Sequence, residues 1–220
     1  MARSLGGGTA PGRWHSGAVP RLDYDPAQLG PDIYPLLNSV VVPRPIAWVA
    51  TRSPEGVDNL APHSFFTISS VTPPVVQFTS VGPKDSLRNA LATGEFVVSV
   101  CTEQLLEQVN ITGTDYPAEQ SEFDAAGLTR EPSRLVAPCR VAESPVALEC
   151  RVIGTKDFGG GSVVVFGEVV WAVVDERVLQ DGRPEIELMR PVARLGANQW
   201  STIGQVTDHR RVPYAEVVQS

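Results

Sequence analysis

Histidine and cysteine are scarce in this chain of 220 residues, with 3 of each. The cysteines, Cys101, Cys139 and Cys150, form no Cys-x-x-Cys pair, and none lies beside a histidine at ligand spacing. That argues against a zinc site and against a disulfide framework. Each is flanked by apolar, strand-like residues, where free cysteine acts as a small hydrophobe, and a reducing cytoplasmic setting suits all of them. Lysine and arginine total 18 against 25 acidic residues, a net charge of −7. No long run of lysines or arginines breaks the pattern, so the footprint demanded by a phosphate backbone is missing and nucleic acid is not an expected partner. The acidity reads as solubility. Nothing approaches the about 18 apolar residues of a membrane span. The N-terminus carries Arg3 and Arg13 without an apolar stretch between them, which does not read as a secretory signal.

What is present is the composition of a globular protein, 42% hydrophobic and 20% charged, with no internal repeat or dividing linker. Residues 1–20, with Gly6-Gly7-Gly8 and Pro11-Gly12, read as a flexible tail, and residues 21–220 as one domain. From Val40 onward short runs rich in Val, Ile, Phe and Thr are punctuated by Pro, Gly and Asp, the rhythm of a β-barrel or sandwich. Strands are expected over Ile46–Thr51, His63–Ile68, Val75–Ser80, Phe96–Cys101, Val146–Val152 and Ser162–Val174, the last bulged near Gly167. Helices are expected from Lys84 to about Thr93, ended by Gly94, and from about Thr102 to Thr112, ended by Gly113.

Two segments carry chemistry. Around Thr79-Ser80-Val81-Gly82-Pro83-Lys84-Asp85-Ser86 a pair of hydroxyls meets a lysine at a helix start. Unpaired amides and partial positive charge there favour an anion, with Asp85 or Ser86 available as caps. The segment lacks the Walker spacing, so ATP hydrolysis is not indicated. Taken alone it reads equally as an ordinary capped helix with an exposed lysine. In the second segment, Asn59-Leu60-Ala61-Pro62-His63-Ser64-Phe65-Phe66, amide and hydroxyl groups sit beside aromatics. Together with the strand-end Thr51 they offer what a planar heterocycle needs at its polar edge and apolar face. Phe65 and Phe66 point to opposite faces, so one lines a cleft and the other enters the core. His63 lacks a carboxylate partner in sequence and reads as a rim residue; Trp48 reads as core packing. His15 and His209 lie near the termini and invite no role.

Pro43-Arg44-Pro45-Ile46-Ala47-Trp48-Val49-Ala50-Thr51, the Asn59–Phe66 segment, Pro73-Pro74, Lys84-Asp85-Ser86-Leu87-Arg88-Asn89 and Gly94-Glu95-Phe96-Val97-Val98 together resemble the flavin reductase-like family. Members of that family are FMN-binding split barrels associated with flavoprotein oxygenases. The similarity continues in order through Glu122–Leu128, Ser144–Cys150, Gly167-Glu168-Val169 and Arg194-Leu195-Gly196. The resemblance implies a mainly β, Greek-key-like antiparallel split barrel with a few peripheral helices, forming a homodimer with FMN near the interface. It implies Thr51, Asn59, Leu60, Ala61, Ser64 and Phe65 around the ring and ribityl chain, and Thr79, Ser80, Lys84, Asp85 and Ser86 at the phosphate end. No catalytic side chain and no metal are implied, because the flavin carries the reaction. Arg194 and Trp200 are candidates for a wall shared between subunits, beside ordinary interface packing.

The implied activity is a soluble flavin reductase that takes hydride from NADH or NADPH and passes electrons to a partner oxygenase or another acceptor. One departure bears on the donor. A related branch carries a Gly-Asp-His triplet that helps bind nicotinamide, and this chain has Gly160-Gly161-Ser162 there. An FMN-binding electron carrier, sensor or store without reductase activity is therefore the alternative, and a flavin-free barrel a third. The run Gly159-Gly160-Gly161 reads as a plain hairpin turn, or as a mobile loop over the ligand.

Overall fold

The computed structural model describes residues 21–217; the tail expected over residues 1–20 lies outside them. Its centre is an antiparallel seven-stranded sheet. The strands are β1 (Ala47–Arg52), β2 (Asp58–His63), β3 (Phe66–Val71), β4 (Pro74–Val81), β5 (Glu95–Val100), β6 (Val146–Asp157) and β7 (Ser162–Val174). They lie in the order β2-β1-β5-β6-β7-β4-β3. The two edge strands, β2 and β3, are consecutive in the chain and separated only by Ser64 and Phe65. Curling brings β2 back toward β4, where His63 Nδ1 lies 3.4 Å from the Thr79 carbonyl oxygen. Among the described residues no ladder pairs β2 with β4 or β3, so the barrel is split along this line.

Strand β1 explains why its sequence is a continuous apolar run and does not alternate. Ala47 and Val49 face the barrel interior with Phe78, Phe96, Val98, Cys150 and Val165. Trp48 and Ala50 face an outer layer holding Leu60, Leu105, Val109, Phe123 and Cys139. A strand covered on both faces needs apolar residues at every position. Trp48 is fully buried, and its Nε1 donates to Thr112 Oγ1 at 2.8 Å, so it is core with a satisfied polar tip. The three cysteines are free and buried, and burial pushes the Cys139 and Cys150 thiols up to about 11 and about 12.

The expected strand His63–Ile68 is in fact the end of β2 and the start of β3, broken at Ser64-Phe65. Strand β2 starts well before His63, at Asp58, and carries Pro62. It pairs on one side only, with β1, and proline is tolerated at an edge position whose N–H would point outward. Strand β6 runs on to Asp157, beyond the expected Val152, because β7 pairs with it along its full length. The helix expected from Thr102 splits into a 3-10 turn, Glu103–Leu105, followed by an α-helix, Leu106–Ile111. A further helix, α1 (Ile33–Val40), and a short C-terminal strand pair, Ala193–Arg194 with Trp200–Ser201, pack beside Arg44-Pro45.

Buried Arg44 ties these peripheral pieces together. Its guanidinium donates to the carbonyl oxygens of Asn38 (2.6 Å), Val41 (2.9 Å) and Leu195 (2.8 Å), and its Nε lies 3.4 Å from Ser64 Oγ. Burial and the nearby Arg194 charge lower its pKa.

The bulge expected near Gly167 is present, with the β6–β7 register shifting between Phe166 and Gly167. A Cβ at Gly167 would fall 2.3 Å from Phe96 Cζ and 3.0 Å from Cys150 Cβ. Gly167→Ala should therefore destabilise the protein by about 1–3 kcal/mol through overpacking. Gly154→Ala, on the neighbouring strand with nothing within 4 Å of its Cβ, should be close to neutral. Urea unfolding of the two variants checks the contrast.

Candidate functional site

Helix α2 (Asp85–Thr93) starts where β4 ends, and Lys84 sits in its cap position with extended backbone. Neither Asp85 nor Ser86 caps it: no side chain closes its first turn, and Ser86 Oγ turns inward to donate to Asn59 Oδ1 at 3.1 Å. The first amides of α2 thus keep the partial positive charge of an open helix start. Gly94, in the left-handed region at φ 75, ends the helix as expected.

A buried polar network joins this helix start to the edge strand. Asn89 Nδ2 donates to Thr51 Oγ1 (3.3 Å), and Thr51 Oγ1 donates to Asn59 Oδ1 (3.1 Å). Asn59 Nδ2 donates to Glu122 Oε1 (2.8 Å), and the Leu60 N–H donates to Glu122 Oε2 (2.8 Å). Glu122, only 6% exposed, belongs to the short helix Glu122–Ala125 that covers the open edge of β2. Burial raises its pKa, a rise that the nearby Asp85 charge reinforces and the bonds from Leu60 and Asn59 oppose.

Above the network lies a cleft of about 260 Å³. Its walls are Asn59, Ala61 and Pro62 from β2, Pro83 to Ser86 from the helix start, the loop Thr112–Tyr116, and Glu122. Lys84 Nζ lies 2.5 Å from Asp115 Oδ1 on that loop. A second cleft adjoins at Pro62 and Gly113 and is walled by Ser64, Asn110, Arg194 and Trp200, with the Arg194 guanidinium 4.7 Å from the Trp200 ring centre. A third, at Pro62 and Lys84, is walled by Tyr34, His63, Ser64, Phe65 and Thr79. The three clefts surround Pro62 along the split in the barrel.

Asn59, Ala61, Lys84, Asp85 and Ser86 are thus brought into one cleft, with Ser64, Phe65 and Thr79 in the neighbouring one. Thr51, Leu60 and Ser80 are fully buried. Their side chains work inward, Leu60 in the core and Ser80 Oγ on the Gly82 carbonyl oxygen at 3.0 Å. Phe65 lines the third cleft, whereas Phe66, only half-buried, packs partly against the barrel interior and partly beside Phe65 in a further apolar cleft, so the division expected of the pair is incomplete. Glu122 and the Thr112–Tyr116 loop were not expected as parts of the site. The sequence held one signal: Ser121-Glu122 before Phe123 reads as a helix start whose acid is free to reach elsewhere. Arg194 and Trp200 line a cleft within their own chain.

The chain matches the family model described as "Flavin reductase like domain" over residues 39–187, and it belongs to that family. It is 41% identical over 183 residues to an uncharacterized protein of Halalkalibacterium halodurans, covering 78% of this chain and 87% of that one. Nitrilotriacetate monooxygenase component B from Bacillus cereus superposes with a TM-score of 0.82 at 30% identity, over 87% of this chain and 100% of that one. The 2-nitrobenzoate 2-nitroreductase of Pseudomonas fluorescens gives a TM-score of 0.79 at 29% identity, over 88% and 100%. The fold is the split barrel of flavin reductase-like proteins.

His63 is 9% exposed, its ring centre 4.8 Å from that of Phe78, and its Nε2 is buried without a partner. Burial lowers its pKa to about 4, with Lys84 adding to the effect against the bond to Thr79. The unfolded chain takes up this proton near 6.5 and the folded protein only near 4. His63 therefore contributes stability above pH 6.5 that is lost as the pH falls toward 4, by about 1.4 kcal/mol per unit within that window. Urea unfolding of wild type and His63→Phe between pH 7 and pH 4 should show a shallower decline in the variant.

Proposed function

We propose that this chain is an FMN-binding oxidoreductase that accepts hydride from NADH or NADPH and passes electrons to a partner oxygenase or another acceptor. The observation that carries the reading is the cleft in which an uncapped helix start and Lys84 stand beside Asn59 and Ala61 of the edge strand. That donor set suits a phosphate: open amides, an ammonium group, and the hydroxyl-bearing Thr114 on the facing wall. The buried network fixes the distance between this anion end and the β2 edge, and the aromatic and amide groups of the adjoining clefts suit a planar heterocycle.

On this reading Lys84 and the backbone amides of Asp85 and Ser86 meet the phosphate end, with Thr79 beside them, and Ser80 shapes the turn that leads to them. Asn59, Ala61, Ser64 and Phe65 meet the ring and ribityl chain, while Thr51 and Leu60 position Asn59 and the strand behind it. Bound FMN supplies the redox chemistry, accepting a hydride and releasing electrons. The chain's residues bind it, orient it and hold its phosphate, and none is required as an acid or a base. The likeness to component B of a nitrilotriacetate monooxygenase supports an oxygenase partner. A homodimer in a cytoplasmic setting completes the proposal; exposed Tyr34, Leu37 and Val41 near Phe65 offer apolar surface for a second subunit.

A second reading, an FMN-holding electron carrier without reductase activity, is favoured by one feature. Gly159, Gly160 and Gly161 all have positive φ, in a tight turn from β6 into β7 that presents no histidine.

Anaerobic mixing of the FMN-loaded protein with NADH or NADPH should bleach the visible flavin band within a catalytic time. Bleaching by neither donor supports the carrier instead. If no yellow chromophore copurifies and added FMN binds more weakly than millimolar, both readings fail. Lys84→Ala should weaken FMN by about tenfold or more, the value of a charge-assisted contact, and leave riboflavin nearly unchanged. Equal losses for both ligands in a titration would place Lys84 away from the phosphate.

A further inference from the structure

The cleft that stands open at the start of α2 has one feature that an anion site would not need. Its lysine is already paired. Lys84 Nζ lies 2.5 Å from Asp115 Oδ1, and both side chains are solvent-accessible, 48% and 84% exposed. The other acids on the cleft wall are held by other groups. Asp85 pairs with Arg88 at 2.7 Å, and Glu122 accepts from Asn59 and Leu60. Among the described residues Asp115 has no polar partner besides Lys84.

The loop bearing Asp115 is fixed at its root. Thr112 is buried, its Oγ1 accepting from Trp48 Nε1 and donating to the Val109 carbonyl oxygen at 3.0 Å. Thr114 N–H donates to the Ile111 carbonyl oxygen at 3.1 Å. This anchoring holds Asp115 within reach of Lys84 across the mouth of the cleft.

We infer that Asp115 is a specificity-determining residue, an internal competitor whose carboxylate engages the ammonium group that a ligand's phosphate end requires. The inference rests on the FMN reading above. A ligand with a dianionic end must exchange one anion for another at Lys84, so part of its binding free energy goes into breaking the existing pair. A ligand with a neutral end leaves the pair in place. Asp115 thus lowers the preference for phosphorylated over unphosphorylated flavin, which keeps FMN exchangeable.

The test is a titration of FMN and riboflavin into wild type, Asp115→Asn, Lys84→Ala and the double variant. Asp115 is exposed, so its replacement leaves the fold intact. Asp115→Asn should tighten FMN by about two- to fivefold, the strength of an exposed ion pair, with riboflavin unchanged. In the Lys84→Ala background the same substitution should have no effect, because the competition has no object there. Equal tightening in both backgrounds would mean through-space repulsion and overturn the inference. Unchanged or weaker FMN binding by Asp115→Asn, or a parallel change for riboflavin, would overturn it too. A wild type that binds FMN without showing this pattern removes the inference alone; a wild type that binds no FMN removes the functional reading with it.

Discussion

The side-chain amide of Asn59 holds the two halves of the site in register. Its oxygen receives hydroxyls from Thr51 and Ser86 while its nitrogen donates to Glu122, so its orientation is set by its partners. A buried amide left half satisfied costs free energy, and the partners of Asn59 satisfy both ends of its amide, while Asn89 contributes its nitrogen and keeps a buried, unpartnered Oδ1. Strand β2, helix α2 and the Glu122 helix therefore cannot drift independently. Glu122 does a second job in the same place. It takes up an outward N–H of an edge strand, a group that a barrel closed by a continuous ladder would have paired with backbone.

The split is the architectural counterpart of that network. A barrel sealed on all sides would leave no line along which backbone and side chains of the interior could meet a ligand. Here the chain passes from one edge strand to the other through Ser64 and Phe65, and three adjoining clefts gather around Pro62 at that passage. Meanwhile β1, covered on both faces, gives the opening a rigid neighbour. The candidate site thus lies on the open seam beside a strand buried at nearly every position.

Much of this was legible in the residues. The apolar run before Thr51, the helix after Lys84 with its Gly94 stop, and the bulge at Gly167 follow from local rules, and each stands in the structure. Proximity along the chain was a good guide within each segment but a poor one between them. Asn59 and Glu122 are far apart in sequence, and neither residue type announces the other. That β2 is an edge strand was not marked in the residues, because which side of a strand lacks a neighbour is decided by tertiary arrangement. Ser86 looked like a helix cap, but Lys84 holds the cap position and Ser86, inside the first turn, donates its hydroxyl to Asn59 instead.

Arg44 has a consequence that reaches well past its own strand. Its guanidinium rests on the peptide oxygens of Asn38, Val41 and Leu195, with Ser64 beside it, and no acid shares the pocket among the described residues. The segments just before β1 and after β7 are therefore keyed to the rim by a single cation. Trimming either peripheral segment strips that cation of its dipolar seat and leaves it stranded next to Phe65. Shortening the protein far from the crevice is thus felt as a disturbance of the crevice wall.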